Sequence, residues 1–275
     1  MTDLKKHAAF REKYGPWALV TGSSAGIGEA FAWILAERGI NLILVARNRQ
    51  RLEQKAAEIQ TQNPSIQIRT YALDLSLAGT VESLIQATAD LEIGLIIPNA
   101  AMETNGTFIK NNFADEQRLI QLNITIPAHI AHHYGQRMSQ RGHGGILFVS
   151  SIAGYGPTPY LANYGASKAY IISLGESLHY ELKPHGIDVL VLSPGLTDTP
   201  LATNSGIAWQ KLYIPHMDAD TTALTGLKAL GKKSSVIPGR TNWLLTFVRK
   251  YLFTRSINIS FFGYFLKHAI SHEHS

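Results

Sequence analysis

Six short apolar runs separated by longer helix-like stretches restrict this chain more than any other feature. WALVTG (17–22), NLILVAR (41–47), IQIRTYALDL (66–75), LEIGLIIPNA (91–100), GGILFVSS (144–151) and IDVLVLSPG (187–195) each read as a buried strand with a turn at its end. Between them, 27–38, 49–62, 114–140 and 162–184 have helical patterning. This alternation predicts an α/β fold, a doubly wound parallel sheet built of βαβ units. SSVIPG (234–239) offers a seventh strand at the far edge. No linker, repeat or low-complexity segment interrupts the chain, so its 275 residues are read as a single domain. Its core spans about 15–240, and an extension of different character follows over about 241–275.

The hydrophobic share of 45% and charged share of 16% belong to a folded chain. The absence of cysteine excludes disulfides and thiolate chemistry. A formal charge of +5 suits an anionic ligand or a membrane surface and is too weak to argue for nucleic acid. MTDLKKHAAFREKYG (1–15) has basic residues without an apolar run behind them, and no segment approaches the ~18 apolar residues of a membrane span. The expected location is cytoplasmic.

The first strand runs straight into TGSSAGIGEAF (21–31), with Gly22, Ser23, Ser24, Gly26, Ile27 and Gly28 at the turn that opens a helix. Glycine there permits a tight turn and close backbone approach to a pyrophosphate, which the helix N-terminus favours. A plain tight turn would also use glycine; the position at the first strand–helix junction favours a dinucleotide. The end of the second strand is where an NAD site usually places an acid, and here it reads VARNRQR (45–51). Arg47 suits a 2′-phosphate through charge-assisted hydrogen bonds, which favours NADP(H) over NAD(H). Arg49 and Arg51 read as solvated helix residues.

NYGASKAY (163–170) puts Tyr164 and Lys168 one turn apart on one helix face. A phenol with a pKa near ~10 exchanges protons poorly at neutral pH, and a cation beside it is expected to lower that value. Such a pair arises by chance on many helices and needs other residues to give it meaning.

Those residues are present. Over about 15–240 the chain resembles the classical short-chain dehydrogenases/reductases of the NADP(H) type. The resemblance rests on TGSSAGIG (21–28), Asp74–Leu75, PNAA (98–101), Asn123 in QLNITIP, VSSIAG (149–154), YGASK (164–168) and SPGLTDTP (193–200), in the family's order and spacing. It implies a single-domain Rossmann fold of about seven strands flanked by helices, and an enzyme interconverting a carbonyl and an alcohol. Tyr164 would be the general acid or base, and Lys168 would lower its pKa and hold the nicotinamide ribose. Ser151 would hydrogen-bond the substrate oxygen, and Asn123 would anchor a water relaying protons to Lys168. Asp74 and Leu75 would lie against the adenine, and Asn99 and Ala100 would close the fourth strand beneath the cofactor. Pro194, Gly195, Thr197 and Thr199 would line the nicotinamide side. One departure is PNAA in place of the family's NNAG, because proline donates no N–H in a central strand. It is expected to loosen that strand end or shift the adenosine contacts slightly.

His129, His132 and His133 share a helix face without an accompanying acid and read as a solvated or interface face, so no metal is expected. His268, His272 and His274 read as tail residues. Residues 196–220 form a long connection expected to act as a substrate lid. Leu201, Ile207, Ala208, Trp209, Leu212 and Tyr213 would give it an apolar lining and suit a hydrophobic substrate. In the extension, Trp243, Leu244, Phe247, Val248, Tyr251 and Leu252 form a helical stripe opposite Arg249 and Lys250. That helix is read as packing on its own domain, on a second subunit, or peripherally on a membrane surface. The expected protein is an NADP(H)-dependent oxidoreductase of a small-molecule ketone or aldehyde, assembled as a homo-dimer or tetramer. The alternatives are an NAD(H)-linked alcohol dehydrogenase and a non-catalytic dinucleotide-binding sensor.

Overall fold

The computed structural model describes residues 3–209 and 216–270. Seven strands form one parallel sheet: β1 (Trp17–Thr21), β2 (Asn41–Ala46), β3 (Ile68–Ala72), β4 (Ile93–Ile97), β5 (Gly144–Val149), β6 (Ile187–Leu192) and β7 (Ser235–Val236). The strand order is β3-β2-β1-β4-β5-β6-β7. The chain therefore winds outward one way from β1 and then restarts beside it at β4. At such a reversal the carboxyl ends of the central strands leave a crevice for a ligand.

The apolar runs are continuous because both faces of the sheet are covered. Ala18, Val20, Leu42 and Leu44 pack on one face against α2 (Gly26–Glu37) and a helix at Ala219–Ala229. Leu19, Ile43, Val45 and Phe148 pack on the other face against α6 (Ile126–Arg141) and α7 (Ala162–Leu182). The remaining helices before α6 are α1 (Asp3–Tyr14), α3 (Arg49–Gln62), α4 (Thr80–Ala87) and α5 (Phe113–Ile120). After α7 come α8 (Pro200–Thr203), α9 (the helix at Ala219–Ala229), α10 (Arg240–Phe247) and α11 (Arg255–Ala269). The amphipathic pattern had not marked α1; it ends with the Tyr14 hydroxyl donating to Asp188 at 2.5 Å.

Three local differences from the sequence expectations bear on the site. The strand expected over 91–100 ends at Ile97, so Pro98 follows β4 and takes no N–H out of the ladder. Its carbonyl accepts from Val149 N at 3.4 Å. The helix expected over 114–140 is interrupted by a π-helical turn at Gln121–Thr125. Pro127 has no N–H to give the Asn123 carbonyl four residues earlier, and the turn widens there. The third difference is in the extension, where the stripe is inverted. Trp243, Leu244, Phe247, Tyr251 and Leu252 are exposed, whereas Asn242, Thr246 and Arg249 are buried. The polar line faces inward because backbone carbonyls await it. Asn242 Nδ2 donates to Pro238 O at 3.1 Å, and the Arg249 guanidinium reaches Ile152 O at 3.3 Å and Pro157 O at 2.9 Å. No helix among the described residues is long and apolar enough to cross a membrane.

Candidate active site

Three elements converge at the carboxyl ends of β4, β5 and β6. Helix α7 carries Tyr164 and Lys168; the turn after β5 carries Ser151; the π-helical turn carries Asn123. The Ser151 hydroxyl lies close enough to the Tyr164 phenol to favour its ionised form. The Ser151 Oγ also accepts from Ala153 N at 3.2 Å, which leaves its hydroxyl proton free to point at a neighbouring oxygen. Lys168 is buried, donates from Nζ to Val149 O at 3.1 Å, and sits 5.6 Å from the centre of the Tyr164 ring. Ser150 Oγ holds the Lys168 carbonyl at 2.7 Å and so ties α7 to the end of β5. The Asn123 amide is fully engaged: Oδ1 accepts from Met102 N at 3.0 Å, and Nδ2 donates to Met102 O at 2.8 Å and to Ser167 Oγ at 3.1 Å.

The electrostatics differ from the expectation for a phenol beside a cation. Burial first, and then the charge of Glu103, push the Tyr164 phenol above its usual range; the Ser151 hydroxyl draws it back only in part. Burial also lowers Lys168 to about 8, against the pull of Glu103. The lysine does not depress the phenol here because its own charge is costly in the interior and its ammonium is turned to Val149 O. Glu103 was not singled out by sequence reasoning. Burial raises its carboxyl to about 7 against the attraction of Lys168. The only hint in the sequence was an acid four residues past Asn99, at the mouth of an apolar strand.

The glycine turn is built from its own contacts. Gly22 and Gly26 take left-handed φ values of 67° and 58°. A Cβ at Gly28 would lie 2.3 Å from Gly22 O, so only glycine lets α2 start this close to β1. Ser23 is fully buried, with its hydroxyl on Val45 O at 3.4 Å, so its side chain pins the turn to β2. Ser24 and Ile27 lie at the partly exposed surface of the turn. Asn99 Nδ2 donates to Thr21 O at 2.9 Å and Gly22 O at 3.3 Å, and Ala100 N donates to Thr21 Oγ1 at 3.0 Å. These two residues brace β4 against the turn. Leu75 is buried in the core below Asp74. Burial raises Asp74, but hydrogen bonds from Ser76 and the charges of Arg47 and Arg118 outweigh it and hold the carboxyl below its usual range. Arg47 is exposed at the end of β2. On the opposite bank, Pro194 O accepts from Ile152 N at 2.9 Å, Gly195 packs on Asn242, and Thr197 Oγ1 donates to Gly195 O at 3.2 Å. The Thr199 methyl lies so close over Gly26 that a Cβ there would meet it at 2.8 Å. A strand-end crevice floored by a glycine turn, with an uncapped helix N-terminus, fits a dinucleotide.

The outer wall comes from the end of the described chain. Ile207 and Ile270 form an antiparallel bridge, and Ala208 N donates to Ala269 O at 2.8 Å. Leu161, Ile207, Leu266, Ala269 and Ile270 form an apolar cluster on which Tyr164, Tyr160 and Trp209 pack. Of the residues expected in the lid, Ile207 and Trp209 join this wall, Ala208 lies beside it and Leu201 is exposed. Leu212 and Tyr213 lie outside the described residues, as do His272 and His274. His129 approaches Glu82 at 3.7 Å, and no metal-binding cluster occurs among the described residues.

Comparison with known proteins agrees with this geometry. The family model for short chain dehydrogenases matches residues 16–208. A 7beta-hydroxysteroid dehydrogenase of Clostridium sardiniense is 34% identical over 85% of this chain and 89% of its own. A structure from work on 7beta-hydroxysteroid dehydrogenase stereoselectivity superposes with a TM-score of 0.86 at 28% identity, covering 92% of this chain and 99% of that one. A short-chain dehydrogenase from Sphingobium yanoikuyae, solved in complex with NADPH, gives a TM-score of 0.76 at 30% identity over 86% of this chain and 95% of that one.

Proposed function

The chain belongs to the short chain dehydrogenase family and is an oxidoreductase acting on CH–OH and C=O groups; on that premise we propose that it is an NADP(H)-dependent reductase of bulky, largely apolar ketones, with Tyr164 as its proton donor. The observation that carries this reading is the convergence of Asn123, Ser151, Tyr164 and Lys168 at the strand ends, with Lys168 Nζ on Val149 O at 3.1 Å and 5.6 Å from the centre of the Tyr164 ring.

When bound, NADP(H) supplies the hydride that adds to the carbonyl carbon. Charge then grows on the carbonyl oxygen, and the Ser151 and Tyr164 hydroxyls are the donors aimed at it. An alkoxide is a far stronger base than a phenolate, so proton transfer from Tyr164 Oη to that oxygen runs downhill even from a phenol of raised pKa. The same raised pKa means that the reverse reaction, in which Tyr164 must begin as phenolate, calls for a higher pH than reduction does. Lys168, held near neutrality by its burial, is placed to restore the phenol's proton. Asn123 keeps segment 101–105 against α7 through both of its Met102 bonds. Arg47 is the residue for the 2′-phosphate, and the backbone of the glycine turn is the seat of the pyrophosphate. The NADPH complex of the Sphingobium yanoikuyae relative supports this cofactor. The wall of Ile207, Trp209 and Leu266, together with the likeness to a 7beta-hydroxysteroid dehydrogenase, supports a large apolar substrate. A cytoplasmic homo-dimer or tetramer completes the reading.

The test is NADPH consumption at neutral pH across a panel of bulky ketones, with NADP+ and a 7β-hydroxysteroid in the opposite direction. Turnover of bulky ketones with NADPH supports the proposal. A protein that binds NADPH yet reduces none of them is not a reductase of this class.

A further inference from the structure

Resting on that reading, we propose that Glu103 binds the substrate itself, selecting ketones that carry a hydrogen-bond donor, a hydroxyl or amino group, close to the reacting carbonyl.

The placement of Glu103 is fixed on three sides. Met102, just before it, is clamped by the Asn123 side chain through both its N–H and its C=O. Asn105, two residues on, donates from Nδ2 to Ser205 O at 2.6 Å and so ties the segment to the stretch that precedes the outer wall. Gly106 N donates to Tyr160 O at 2.9 Å, just ahead of α7. Between these pins the Glu103 carboxyl lies within electrostatic range of both Tyr164 and Lys168. Asn123 Nδ2, which holds Met102 O at 2.8 Å, also donates to Ser167 Oγ at 3.1 Å, so the segment is tied to the helix that carries Tyr164 and Lys168.

Its bonding is incomplete. Oε1 is shielded from solvent and has no hydrogen-bond partner among the described residues. Lys168, the nearest cation, spends its ammonium on Val149 O instead. A buried carboxyl oxygen without a donor is costly, and an apolar side chain of similar size would fill the place without that cost. A ligand bringing a hydroxyl or amine to Oε1 removes the cost; a ligand bringing only hydrocarbon does not. The carboxyl titrates near neutrality, so it accepts from such a group when ionised and also donates when protonated. Together with the apolar wall of Ile207, Trp209 and Leu266, this describes an amphipathic substrate, apolar toward the wall and hydroxylated or aminated toward Glu103.

The experiment compares 2-hydroxyacetophenone with acetophenone, the same skeleton with and without the donor, as substrates of the wild-type protein, Glu103→Leu and Glu103→Gln with NADPH. The wild type is expected to favour the hydroxyketone in kcat/KM by at least about tenfold, and Glu103→Leu to lose most of that ratio. Glu103→Gln, which keeps a carbonyl acceptor, should retain part of it. NADPH titration by fluorescence establishes that each variant is folded; if the leucine variant is not, a glutamine variant with the full wild-type ratio overturns the proposal and one with a reduced ratio supports it. An equal ratio in wild type and both variants, with both ketones reduced, overturns the role of Glu103 and leaves the reductase standing. A wild type that binds NADPH but reduces neither ketone overturns both.

Discussion

The guanidinium of Arg249, far down the chain in the C-terminal extension, donates to the carbonyl of Pro157 at 2.9 Å, in the turn that follows Ser151. A second bond runs to Ile152 O at 3.3 Å, and the ring of Phe262 in α11 stacks on the guanidinium at 3.9 Å. One buried side chain thus joins the Ser151 turn, the π-helical end of α10 and the start of the outer wall. Asn258 tightens the joint by donating to the Arg249 carbonyl at 2.9 Å.

Replacing Arg249 with Met keeps the aliphatic stem and removes the bonds to both carbonyls. Hydrogen bonds made by charged groups contribute about 1.5–3 kcal/mol each. Burial lowers this guanidinium to about 10, which marks the opposing desolvation. The net expectation is a locally loosened wall. Amide hydrogen exchange should accelerate in α11 and in 152–158, KM for the ketone should rise, and NADPH affinity should hold. Unchanged exchange in α11 would show that the wall stands without the arginine.

Tyr164→Phe removes the hydroxyl and retains the ring that packs on Leu161 and Leu266. Turnover should fall by about 10²–10⁴, while NADPH binds as in the wild type. Single-turnover kinetics with saturating NADPH are the direct check, and a variant at full speed would assign the proton to another group.

Arg47→Asp reverses the charge at the end of β2. NADPH should bind at least about tenfold more weakly, roughly 1.4 kcal/mol, and NADH should gain. Paired fluorescence titrations decide the point. If both nucleotides weaken equally, Arg47 holds a part that the two cofactors share.

Glu103 also couples stability to pH. Burial raises its carboxyl to about 7 in the folded chain from the ordinary 4.5, so between these values the folded state holds the proton more tightly than the unfolded one. Stability from this group is therefore fully present below about pH 4.5 and is lost as pH rises through about 7, by an amount on the order of 3 kcal/mol. Urea unfolding at pH 5.5 and pH 8 should show the wild type losing stability relative to Glu103→Gln over that interval. In the same variant the phenol of Tyr164 is relieved of a neighbouring negative charge, so the alkaline limb of alcohol oxidation should move to lower pH. A limb that stays in place would mean the two groups do not communicate.

The sheet was legible because a strand buried on both faces writes itself as an uninterrupted apolar run, as in IGLII (93–97). The glycine turn and the Tyr164–Lys168 pair were legible because their geometry is local, set by neighbours within a few residues. What escaped depends on distant partners. The period of the 243–252 stripe marks two faces but not which of them the protein covers; that was decided by the carbonyls of Ile152 and Pro157, which draw Arg249 inward. The raised phenol of Tyr164 likewise reflects its burial first and then the charge of Glu103, whose segment is held by the grip of Asn123 on Met102. Ser23 and Leu75 sit in the expected motifs, yet their side chains face the interior.

The bridge between Ile207 and Ile270 falls at the boundary of the family match, which ends at residue 208. The groups that would carry out the chemistry lie before that boundary together with Glu103, Leu161 and Ile207, and the rest of the wall, Trp209, Leu266, Ala269 and Ile270, lies after it. One part of the substrate surface is thus encoded apart from the reacting groups. Recombining the segment after residue 208 with that of a relative would reshape the apolar wall while leaving the hydride and proton steps and Glu103 in place, provided the graft carries its own arginine to sit on the turn after Ser151.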